Sequence, residues 1–200
     1  MTSAPNIFDN LNAEFVSRLR QISTTSRTTV DGKATITFKT ARIEANYSPN
    51  ILKNIEPGRL VAIPNVMDVT SKVIYSIYEI ADIYPMHYSM LTLDNTQPSI
   101  IRNEFMKLIQ KGWENGSSST WIEMVGAPTG YSLYLNANNN SDYKFVRKNL
   151  IPLTGSEVQL LSKETIQRFI CYTPKQAESA TDLTIGSLLG IADSNIPFTL

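Results

Sequence analysis

The chain has one histidine, His87, and one cysteine, Cys171, the side chains that most often serve as general base and as thiol nucleophile. His87 stands in Tyr84-Pro-Met-His-Tyr88 with Asp82 and Ser89 close in sequence, residue types that could form a triad. A serine nucleophile of the hydrolase kind needs the sharp GxSxG elbow, and Gly186-Ser-Leu-Leu-Gly190 has the wrong spacing. His87 therefore reads as a structural residue, and no activity can be named for an enzyme that would use it. Cys171 ends an apolar helix face, where a thiol is ordinarily buried and inert.

Phosphate and metal chemistry fare no better. A phosphate loop requires GxxxxGK[ST]. Asp31-Gly-Lys-Ala lacks the upstream glycine and the hydroxyl after lysine, and Gly126-Ala-Pro-Thr-Gly130 is followed by Tyr131 where lysine is needed. Both read as turns. A single His, a single Cys and scattered carboxylates offer no dense ligand set, and the Asn-rich stretch 136–142 lacks the glycine and terminal glutamate of an EF-hand loop. The residues thus indicate no catalytic, cofactor or metal site. One further set remains: Tyr131, Tyr134, Lys144, Arg147 and Lys148, with Tyr143 and Phe145 nearby, mix aromatic and basic residues as a single-strand nucleic-acid platform of OB type does. Solvent-facing strand residues explain the same set more simply.

The elements that must carry these residues follow from periodicity. Phe8, Leu11, Phe15, Leu19 and Ile22 fall at helical spacing and predict a helix over 6–22, part of an N-terminal arm spanning 1–25, with 23–29 as a linker. Alternation from Ala34 predicts a strand, and its slip near 40–41 predicts a bulge. Pro57-Gly58 marks a turn into a short strand ending at Pro64. Residues 72–84 are apolar on most of both faces, which predicts a long central strand. A helix is expected from Pro98 to Lys111, its apolar face made by Ile100, Ile101, Phe105, Leu108 and Ile109 and its end set by Gly112. Beyond it, 120–125 and 131–135 read as a hairpin around Gly126–Gly130, and 136–142 as a turn. Short strands broken at Pro152 and Gly155 then lead to a helix that Ser162 caps and that runs to Ile170. The expected fold is mostly β with accessory helices: a small closed antiparallel barrel over 30–175, a helical insertion at 97–119, and a connector over 180–200.

Composition narrows the setting. The chain has 200 residues, 42% of them hydrophobic, enough for a real core. Its 18 basic and 18 acidic residues cancel, so nucleic-acid affinity has to be local. A lone cysteine suits a reducing compartment, no secretory or membrane-spanning segment is evident, and a cytoplasmic protein is expected.

The last residues carry a resemblance. Ile185-Gly-Ser-Leu188 and Ile196-Pro-Phe-Thr-Leu200 look like the segment that leads from the N-terminal barrel into the motor domain of HerA-type hexameric ATPases. Gly58-Arg-Leu-Val-Ala62, Tyr78-Glu-Ile-Ala-Asp-Ile-Tyr84 and Pro152-Leu-Thr-Gly-Ser-Glu-Val158 are similar to that barrel's strands and late turn. The N-terminal helix and the 97–119 insertion depart from a minimal barrel of this kind. The resemblance implies a non-catalytic collar that assembles as a hexamer and docks a nuclease or other effector. ATP and Mg²⁺ would then act in a motor domain beyond this segment, and double-stranded DNA would pass through the ring. On this expectation 180–200 is a connector ordered against the barrel or in an interface.

Overall fold

The computed structural model describes residues 6–28, 35–65, 72–91, 96–115, 119–136, 139–171, 182–186 and 196–199. In chain order the elements are β1 (Ser17–Thr28), β2 (Thr35–Asn46), α1 (Pro49–Asn54), β3 (Leu60–Pro64), β4 (Lys72–His87), α2 (Ser99–Asn115), β5 (Thr120–Asn136), β6 (Asn139–Val146), β7 (Gln159–Leu160), α3 (Lys163–Ile170), β8 (Asp182–Gly186) and β9 (Ile196–Thr199). Seven strands make one antiparallel sheet in the order β1-β2-β5-β4-β3-β7, with β6 beside β5. The mostly β fold with accessory helices is the one expected. Strands β8 and β9 pair with each other, and the rest of the expected connector lies outside the described residues.

The regular ladder does not close, so a barrel is not established by strand pairing. Between β1 and β7 the gap is spanned only by irregular chain. Leu19 N donates to Ser156 O at 2.9 Å, Gly155 N donates to Leu19 O at 2.7 Å, and Arg18 and Glu157 form an isolated bridge.

Both faces of the sheet are covered, which is why β3 is buried at Leu60, Val61, Ala62 and Ile63 in succession. Val61, Ile63, Tyr78, Ile80, Ile122 and Met124 belong to one apolar cluster, together with Phe15, Leu19 and the α1 residue Ile51. Leu60, Ala62, Ile77, Leu133, Leu135 and Phe145 belong to a second, on which Ile166 and Phe169 of α3 pack. As expected, β4 lies centrally, between β3 and β5. The Ser162 hydroxyl accepts from Thr165 N and caps α3, also as expected.

Four expectations are corrected. Residues 6–22 are not one helix: a 3-10 turn at Asn10–Ala13 precedes β1, and residues 23–28 of the supposed linker are that strand's second half. The bulge near 40–41 lies instead in β1, where the register shifts between Leu19 and Gln21 opposite an uninterrupted β2. Residues 120–136 are one strand rather than a hairpin. Gly126–Gly130 bends that strand: Ser76 pairs with Ser132 and Tyr78 with Pro128, so Thr129, Gly130 and Tyr131 face Ile77 alone. Gly130 supplies the positive φ, 83°, and the Thr129 hydroxyl donates to Ile77 O at 2.9 Å. Finally, α2 runs through Gly112, which is buried, and ends at Asn115.

Candidate functional site: an apolar groove beneath the inserted helix

α2 is inserted between β4 and β5, whose adjoining ends are paired at His87 and Thr120. His87 is 5% exposed, and its Nδ1 accepts from Ser89 N at 3.1 Å, which starts a 3-10 turn over Tyr88–Met90. Its ring meets Trp113 of α2 edge-on, with centroids 6.3 Å apart. The imidazole therefore sits in the seam between sheet and helix, with one nitrogen engaged by the backbone.

Trp113 and Ile109 anchor the helix; Ile109 is 5% exposed, and Trp113 packs on Tyr47. Between helix and sheet lies a groove of about 560 Å³, lined by Tyr47 and Leu52, by Pro85 and Met90, and by Met106, Ile109 and Trp113 of α2. Such a surface binds by apolar contact, and flexible methionines let it adapt to shape. The helix's expected apolar face is divided by the fold. Ile109 points inward and Phe105 is half-buried, whereas Ile101 is 44%, Leu108 54% and Ile100 76% exposed.

The aromatic and basic set does not assemble on one face. Tyr131 packs edge-on against Phe169 of α3 with centroids 5.3 Å apart, and Phe145 meets the same ring at 5.2 Å. Tyr134 and Lys144 are cross-strand partners, one residue out of step with Leu133 and Leu135 and so on the other face. Arg147 and Lys148 follow the end of β6 and are exposed, and Lys148 O accepts from the Ser132 hydroxyl at 2.7 Å. Arg168 lies over the Tyr143 ring, 5.5 Å from its centroid. The aromatics that would stack bases are thus shared between α3 and the opposite face.

Among the described residues no group of three or more His, Cys, Asp or Glu is placed to hold a metal ion, and no helix is long and apolar enough to cross a membrane. Burial raises the hydroxyl pKa of Tyr75, with Glu157 adding to the effect, and burial alone raises that of Tyr78. Both tyrosines belong to the packed sheet rather than to the groove. No protein-family model matches the chain, and no curated protein matches it.

The groove could have been suspected from sequence, because α2 carries more apolar residues than one buried stripe needs. Which of them stay exposed depends on the helix's rotation about its axis, set by Trp113 and Ile109. Periodicity alone does not give that angle.

Proposed function

We propose that this chain is a non-catalytic assembly and docking module of a HerA-like ring ATPase, acting in the cytoplasm, and that α2 seats a second copy of the chain. The observation that carries the reading is the exposure of Ile101 and Leu108 beside an apolar groove on an inserted helix. Charge favours a like partner: Arg102, Lys107 and Lys111 on α2 stand with Glu104 and Glu114, so both signs are available to a copy of the same helix. The segments that resemble HerA-type barrels support the same reading. In that family the collar is hexameric and receives a nuclease or other effector, while ATP, Mg²⁺ and double-stranded DNA are handled by the motor domain.

Sedimentation velocity over a wide concentration range tests it. The wild-type chain is expected to associate as concentration rises, and Ile101→Asp with Leu108→Asp to remain monomeric with an unchanged circular-dichroism spectrum. A wild type that stays monomeric throughout, or a double variant that associates equally well, overturns the role of α2.

A further inference from the structure

Between β6 and β7 the chain runs as a strap, residues 147–156, over the face of β4 and β5 that carries Ser76 and Ser132. Those two serines are buried cross-strand partners, and each commits its hydroxyl to the strap: Ser132 Oγ donates to Lys148 O and Ser76 Oγ to Leu150 O, both at 2.7 Å. The Asn65 side chain donates to Ser76 Oγ in turn. At the other end Ser156 N donates to Leu153 O at 3.2 Å, and Gly155 N to Leu19 O at 2.7 Å. A segment without regular secondary structure is thus held by its main chain at both ends.

The tethering decides which side chains meet water. Pro152 is buried, while its neighbours Ile151 and Leu153 are 52% and 54% exposed, so the chain turns inward at one residue and presents an aliphatic group on each side of it. Arg147, Lys148 and Asn149 are exposed as well. Lys144 lies on the same face: it is exposed, and it is in step along β6 with Val146, the partner of Ser132. From Tyr143 to Ser156 the sequence has these three cations and no carboxylate, in a chain whose 18 basic and 18 acidic residues cancel. Asp142 and Glu157 bracket the stretch, and Glu157 is the backbone bridge partner of Arg18. Among the described residues no ion pair engages Lys144, Arg147 or Lys148.

Cations beside exposed aliphatic groups suit an anionic lipid surface, where the charges meet headgroups and the aliphatic side chains enter the acyl boundary. Tyr134, half-buried and paired with Lys144, adds an apolar ring with a polar tip, the form favoured at headgroup level. A protein partner fits less well, because lysine is depleted in protein interfaces and leucine is under-represented among their hot spots. Three cations and two aliphatic groups support weak, reversible attachment rather than an anchor.

We propose that the surface over residues 144–153 is a peripheral contact for an anionic phospholipid leaflet, with Lys144, Arg147 and Lys148 on the headgroups and Ile151 and Leu153 inserted between them. Ser76 lies near the start of β4 and α2 follows its far end, so this surface is apart from α2 and does not depend on self-association.

The test is co-sedimentation of the 200-residue chain, dilute enough to be monomeric, with vesicles of phosphatidylcholine and with vesicles of phosphatidylcholine and phosphatidylserine in equal parts. Binding is expected to the second kind alone, weakening as salt rises. Arg147→Gln with Lys148→Gln should lower the partition coefficient roughly thirtyfold. Ile151→Ser with Leu153→Ser should lower it roughly tenfold with charge unchanged. Lys107→Gln with Lys111→Gln on α2 removes the same net charge from exposed positions and should bind as the wild type does. The proposal falls if the wild type binds no phosphatidylserine vesicles at low salt, or if the strap variants bind unchanged while their circular dichroism is native. It falls too if the α2 variant loses as much as the Arg147 and Lys148 variant, which would leave only the general attraction of charge. Binding to poly-glutamate through these same residues, without binding to vesicles, would overturn it by assigning the surface to an acidic protein segment.

Discussion

The Tyr47 hydroxyl donates to the main-chain carbonyl of Trp113 at 3.4 Å while the two rings meet edge to face, their centroids 4.9 Å apart. That one pair ties the inserted helix to the end of β2. Trp113→Ala removes the ring contact and opens the seam beside His87, and should cost about 3 kcal/mol in urea unfolding. Tyr47→Phe keeps the ring and loses a long hydrogen bond, so about 1 kcal/mol or less is expected. Equal losses from the two changes would mean that the hydroxyl, not the ring stack, holds the helix.

Ile109 and Leu108 are neighbours in sequence with opposite fates, one buried and one 54% exposed. Ile109→Asp should abolish cooperative unfolding, because it buries an unpaired carboxylate. Leu108→Asp should shift the unfolding free energy by only about 0.5 kcal/mol. If Leu108→Asp is as damaging as Ile109→Asp at concentrations where the chain is monomeric, the helix is rotated from the position described.

Gly130 has open space around the position where a Cβ would stand, so the penalty for substituting it lies in its backbone, at φ 83°. Gly130→Ala should cost about 1 to 2 kcal/mol by thermal unfolding. Gly126 presents the other case. Its φ is not positive, and an added Cβ would meet Tyr78 Cβ at 3.4 Å and Ala41 Cβ at 3.5 Å, ordinary contact distances. Gly126→Ala should therefore be the milder change, and a reversed order would show that strand spacing outweighs backbone strain here.

Tyr75 and Tyr78 both have hydroxyl pKa values raised above the ordinary 10.0. The unfolded chain then loses these protons first as pH climbs. Stability should be level below about pH 10 and fall above it, until the folded-state values are passed. Tyr75→Phe should lessen that fall in denaturant titrations carried to alkaline pH. An unchanged slope would mean that Tyr75 is no more protected in the folded chain than in the unfolded one.

Much of the fold was legible because some residues carry one message. Residues 72–84 are apolar on both faces and lie centrally in the sheet, and Ser162 precedes a helix and caps it. Elsewhere two signals coincided. Phe15, Ser17 and Leu19 are buried in strand alternation, but the bulge after Leu19 turns Ile22 to the same side. The resulting spacing of Phe15, Leu19 and Ile22 is that of a helix, so a strand with a bulge took on helical periodicity. Gly126-Ala-Pro-Thr-Gly130 has turn chemistry, and the chain uses it to bend β5 without reversing it. The candidate groove was less legible, since it depends on how α2 is rotated over Tyr47. The outer half of β1 was missed because a polar Ser/Thr run reads as a linker when its partner strand is not yet known.

The Asn12 side chain donates to Leu160 O at 2.9 Å and accepts from Leu160 N at 2.8 Å, across 148 positions of sequence. Nearby, Leu19 and Ser17 find main-chain partners at Gly155, Ser156 and Val158. The first strand therefore waits for residues made much later in translation. A nascent chain that has emerged only as far as α2 still lacks β5, the strand that joins β2 to β4, and lacks the segment that bridges β1 to β3. Such long-range closure makes for slow folding. It also leaves the edges of β1 and β2 uncovered on the ribosome until residues 121–126 and 155–158 have emerged, an interval in which a chaperone or a neighbouring nascent copy could engage them first.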